Sequence, residues 1–125
     1  MKLMLTICAL IGLGPVQAGA SLCPANTTEV THCKSTAVIA FYPYVSICSD
    51  GTKESLILDP GNNQQVDSYE VSKKNAETGI SWSAIQSEES GELNLILLKN
   101  TSPKFNAILS FKTIMGEHNN KYRCH

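Results

Sequence analysis

An α+β domain, with one N-terminal helix packed on an antiparallel sheet of about four to six strands, is the fold class this sequence predicts. Three observations predict it. Residues 28 to 41 open on a capping threonine, space their apolar side chains loosely as a helix does, and run into Pro43. Ser49-Asp50-Gly51-Thr52 supplies hairpin turn chemistry between two apolar runs. From Phe105 to Lys112 apolar and polar residues alternate with the period of a strand.

Taken in order, Met1 to Ala20 carry one lysine, an apolar run from Leu3 to Leu13, a Gly14-Pro15 break and small residues at Ala18 and Ala20. That pattern is a secretory signal peptide, too short for a membrane anchor, with cleavage expected after Ala20. No later stretch reaches the length a bilayer demands. Residues 21–125 then form a single exported domain of about 105 residues. Without Lys2 the mature chain carries nine basic and eleven acidic residues, a net charge of about minus two with histidines neutral. Such a balance argues against strong binding to a phosphate backbone. The charges are nevertheless uneven, with Lys99, Lys104, Lys112, Lys121 and Arg123 in the last quarter and Glu77, Glu88, Glu89 and Glu92 just ahead of them.

Cys8 leaves with the signal, and Cys23, Cys33, Cys48 and Cys124 remain. Four cysteines in an exported chain imply two disulfides with three pairings open. Their wide spacing, with no close pair, argues against zinc, and no other metal or cofactor motif appears. Asn26-Thr27-Thr28 and Asn100-Thr101-Ser102 are glycosylation sequons, the second followed by Pro103.

The helix is expected over 28–41, capped by Thr27 or Thr28, with Glu29 in its first turn and Val30, Cys33, Ala37, Ile39, Ala40 and Phe41 on one face. Strands are expected over 45–48 and 55–58, more weakly over 66–71, then over 79–86, 92–99, 105–113 and 121–124. Asp59-Pro60-Gly61-Asn62-Asn63 breaks the chain between the 55–58 run and the weaker 66–71 run. In the Phe105 strand, Phe105, Ala107, Leu109 and Phe111 share one face. The run Leu93 to Leu98 is apolar on both faces apart from Asn94, which predicts a central strand.

The stretch from Trp82 to Cys124 carries a further signal. A tryptophan strand, a Gly-containing turn, an apolar strand ending in Asn100, the Phe105 strand and Gly-Glu-His-Asn-Asn-Lys-Tyr-Arg-Cys at 116–124 follow one another. This order resembles the C-terminal half of the small secreted guanyl-specific ribonucleases of fungi, and it implies a microbial ribonuclease-like scaffold. The resemblance further implies a bridge from Cys23 to Cys124, closing about 100 residues, and hence Cys33 with Cys48. At the family's catalytic positions this chain has Ser81, about Ile96 and about Lys112, in place of a glutamate, an arginine and a histidine. A lysine of ordinary pKa cannot shuttle a proton near neutrality, and His32, His118 and His125 do not sit where the family's strand histidine does.

A signal peptide, an early cysteine at Ser21-Leu22-Cys23, a C-terminal cysteine and absent catalytic residues together resemble the ribonuclease-like effectors of powdery mildew fungi. That resemblance implies a non-catalytic, monomeric virulence factor, secreted and translocated into host cells. It would act without a cofactor or membrane, on plant host proteins, RNA or ribosomes, and would be open to recognition by a plant immune receptor. Lys104, Lys112 and Arg123 are then the candidate binding residues. An active ribonuclease with displaced catalytic residues is the alternative, and an unrelated disulfide-stapled exported protein is a third reading.

Overall fold

The computed structural model describes residues 22–62, 64–85, 91–99 and 104–125. The expected signal peptide and the Asn100 sequon therefore lie outside the described residues. Eight antiparallel strands follow one another as an up-and-down meander: β1 (Thr28–Ser35), β2 (Tyr44–Ser49), β3 (Glu54–Asp59), β4 (Asp67–Ala76), β5 (Gly79–Ile85), β6 (Glu92–Leu98), β7 (Ala107–Thr113) and β8 (Gly116–Cys124). Each pairs with the next, and β1 pairs with β8 to close a barrel. This corrects the α+β expectation, because the described residues contain no helix and the sheet has no open central position.

The physical reason lies in residues 28–35. Thr28, Val30 and Thr31 are β-branched and lose side-chain freedom in a helix but fit a pleated surface. Thr31 and Cys33 point inward while His32 and Lys34 point outward, the period of two that a strand requires. Ile39 and Phe41, which were expected on the helical face, stand in the β1–β2 connection and are exposed, as is Val38 beside them. Elsewhere the turn chemistry behaves as the sequence suggests. The Asp50 carboxylate accepts from the Thr52 and Lys53 amides at 2.8 and 2.7 Å, and Gly51 takes a left-handed φ of 99°. Those bonds to the ionised form hold Asp50 below the usual carboxylate range.

Both expected cysteine pairings are also corrected. Cys23 bonds Cys48, and Cys33 bonds Cys124. Cys33 and Cys124 stand directly opposite each other where β1 meets β8, so the second bridge staples the barrel seam. That seam is short, with only Cys33, Lys34 and Ser35 set against Cys124, Arg123 and Tyr122. Backbone bonds flank it, from the Thr36 amide to the Lys121 carbonyl at 3.1 Å and from the His125 amide to the His32 carbonyl at 2.9 Å, while on the β7 side the Asn106 side chain accepts from the Cys124 amide at 2.7 Å and donates to the Cys124 carbonyl at 3.0 Å.

The interior is filled by side chains, as an eight-stranded barrel allows. Val45, Ile47, Leu56, Leu58, Trp82, Leu93, Leu95, Leu109 and Tyr122 are all buried there. Trp82 donates its indole N–H to Glu54 at 3.0 Å, and the Tyr122 hydroxyl donates to the Tyr42 carbonyl at 2.6 Å, so both large rings bury without an orphaned polar atom. Ser81, Ser83, Asn94, Lys112, Lys34 and Arg123 fall on the outer face by strand alternation. An apolar inside and polar outside is the reverse of a lipid-facing barrel.

Candidate functional site

Ser81, Ile96 and Lys112 do lie on three adjacent strands and all face outward. Only two of them meet. Ser81 pairs with Ile96, whereas Ile96 pairs with Ile108 on β7, four residues along from Lys112. Lys112 instead sits opposite Glu92, a cross-strand pair of opposite charge. No acid–base pair can be assembled there, since serine and isoleucine carry no titrating group in the working range.

The histidines give no nucleophilic arrangement either. His32 Nδ1 lies 2.8 Å from Ser46 Oγ and 3.9 Å from Glu29 Oε1, which places both partners on the same ring nitrogen. A catalytic triad needs the base to contact nucleophile and carboxylate through its two different nitrogens. Ser46 is also wholly buried, so no substrate reaches its hydroxyl. His118 faces Phe111 across β7–β8, and His125 donates its backbone amide to the His32 carbonyl at 2.9 Å. Among the described residues no group of three or more His, Cys, Asp or Glu side chains is placed to hold a metal ion.

Two surfaces stand out instead. The first runs along the outside of the seam. Lys34 lies directly opposite Arg123, and Lys121 follows two residues along β8 with its ammonium 4.8 Å above the Phe105 ring. Beside them His32 stacks on Tyr44, with ring centroids 5.8 Å apart. Like charges directly opposite across strands destabilise a sheet, and here they occupy its shortest ladder. Of the residues expected to bind a partner, Arg123 belongs to this strip and Lys112 does not. Phe105, expected on the same face as Ala107, leaves that face, its ring lying under the ammonium of the outward-facing Lys121. Only the pairing of β1 with β8 could have revealed Lys34 as a member.

The second surface is one end of the barrel. In an up-and-down meander the β1–β2, β3–β4, β5–β6 and β7–β8 connections share an end. Val38, Ile39 and Phe41 on the first, Val66 on the second, and Ile114 and Met115 on the fourth all project from it. Five of these are at least 87% exposed, so they contact almost nothing in the chain itself. Among the described residues, the remaining exposed large apolar side chains are Tyr44, which starts β2 at this same end, and Val30. Between the loops, Phe41, Tyr42, Phe111, His118 and Asn120 wall a notch of about 380 Å³. Tyr42 stacks on Phe111 and hydrogen-bonds Asp67, and burial followed by the Asp67 charge pushes its phenol above the ordinary value. Alongside, β8 continues from Gly116 to Asn120, and among the described residues no strand pairs with it there on the seam side.

No protein-family model, curated protein or solved structure matches this chain.

Proposed function

We propose that the chain is an exported, non-catalytic interaction protein whose working surface is the apolar loop end, and that its partner is a protein. The observation that carries this is the collection of nearly fully exposed apolar side chains from separate connections at one end of a stapled barrel. Exposed apolar side chains gathered at one end in this way support a site of association rather than a feature of the free fold. The open β8 edge beside it offers backbone donors and acceptors that suit an extended polypeptide. Two disulfides fit an oxidising, exported setting. The effector reading carries over in this form, as binding of a host protein without catalysis, open to recognition by a plant immune receptor; it no longer draws on a ribonuclease scaffold.

The test is capture from plant extract by the immobilised mature protein, compared with a Phe41→Ser/Ile114→Ser/Met115→Ser variant that keeps the fold. Proteins held by the parent, absent from the variant and indifferent to ribonuclease treatment are expected. Equal capture by both forms would overturn the proposal.

A second reading rests on the seam strip. Lys34, Lys121 and Arg123 interleaved with Phe105, Tyr44 and His32 form the kind of basic and aromatic surface that single-stranded RNA uses. It keeps the expected RNA contact at Arg123 and replaces Lys112 by Lys34 and Lys121.

A further inference from the structure

At the end of the barrel away from the apolar loops, a cup of about 440 Å³ opens over Trp82. Its walls are Val30, Ile80, Leu97 and Leu98. Two of the polar side chains that border it, Thr31 and Asn106, are satisfied within the chain. The Thr31 hydroxyl donates to the His125 backbone oxygen at 2.9 Å, and Asn106 is held by Cys124. Lys73 is different. It stands directly opposite Trp82 on β4, at an inward-facing register position, and makes no ion pair or hydrogen bond among the described residues. Its side chain is exposed, so the ammonium stands in solvent at the rim of the apolar cup, where an acidic head can reach it.

We infer that this cup binds a small amphiphilic anion, with its aliphatic or aromatic body against Trp82, Ile80 and Leu97 and its acidic head on Lys73. The volume suits a molecule of ordinary ligand size, and barrel mouths are among the places where such sites form. Apolar walls supply the affinity, since each buried methylene contributes about 0.8 kcal/mol, and one polar contact fixes the orientation. The inference is independent of the interaction proposed above, because it concerns the opposite end of the barrel and none of the same side chains.

Trp82 is the chain's single tryptophan, which makes the cup directly observable. The experiment uses the disulfide-intact mature chain and follows energy transfer from Trp82 to anilinonaphthalene sulfonate, then its displacement by decanoate below the micellar concentration and by decanol. Saturable transfer is expected, with decanoate displacing the probe. Lys73→Glu should weaken decanoate by about tenfold or more while changing decanol by less than about twofold. Phe41→Ser at the far end should leave both unchanged. The inference is overturned by unsaturable transfer, by decanoate affinity that ignores Lys73→Glu, or by a signal lost with Phe41→Ser.

Discussion

Removing the seam disulfide by Cys33→Ser with Cys124→Ser should destabilise the barrel more than removing the N-terminal one by Cys23→Ser with Cys48→Ser. The two bridges span 91 and 25 residues, and the chain-entropy relation converts these to about 4.6 and about 3.5 kcal/mol. A domain of this size has a total stability of about 5 to 15 kcal/mol, so the seam bridge alone is about three-tenths of it or more. At about 2.1 cal/mol/K per residue for some 100 residues, its loss lowers Tm by about 20 °C, against about 15 °C for the other bridge. The structure widens that gap. Once the bridge is gone, three residue pairs and the flanking Thr36–Lys121, His32–His125 and Thr31–His125 hydrogen bonds hold the closure, against longer ladders at the other seven strand junctions. Calorimetry of both double variants would give the ordering, and amide exchange would show protection lost first from β1 and β8. A seam variant melting within about 5 °C of the parent, or a larger loss from the Cys23–Cys48 variant, would refute the view that closure depends on this staple.

Burial holds the Tyr122 phenol well above its ordinary value of 10.0, with the Tyr42 phenol adding to the shift. A raised folded pKa means that the stability it contributes is complete below about pH 10 and is lost as pH climbs from there toward the folded value, so alkaline melting should steepen above pH 10 and the steepening should shrink in Tyr122→Phe, leaving the smaller part that the raised Tyr42 phenol contributes. Gly79 adopts φ 154°, and a Cβ there would lie 1.9 Å from the Leu97 carbonyl oxygen. Gly79→Ala should therefore cost more than about 2 kcal/mol in a urea melt, whereas Gly51→Ala, with open space around its Cβ, should cost less. If the seam strip binds single-stranded RNA through three cations, anisotropy titrations should give a slope of log affinity against log salt of about −2, made shallower by about 0.7 in Lys34→Ala, with no strand cleavage. A salt-independent signal, or cutting at guanosine, would remove that reading.

How far the sequence discloses this fold depends on which contacts a segment answers to. The β2–β3 hairpin is legible because its cause is local: Asp50 and Gly51 dictate the turn, and Val45, Ile47, Leu56 and Leu58 fall inward on either side of it. The Leu93 and Ala107 strands are legible for the same reason, and β8 is legible only where Tyr122 and Cys124 are apolar. Its earlier half, Glu117 to Asn120, is polar on both faces and becomes a strand because β7 lies alongside. β1 answers to something remoter still. Residues 28–35 can be written as a helix as easily as a strand until Cys124 arrives from the far end of the chain to bond Cys33, and that partner also decides that Lys34 meets Arg123. Four cysteines permit three pairings, and the choice among them is the choice between a closed barrel and an open sheet. The candidate surfaces inherit this dependence. Ile39 and Phe41 look like the buried side of a helix in the sequence, and closure of the barrel through Cys33 is what strands them, with Val38, in solvent at the end that also carries Ile114 and Met115. A surface created by closure should depend on closure, so opening the seam disulfide should scatter the loop end and abolish partner capture even under conditions where most strands persist.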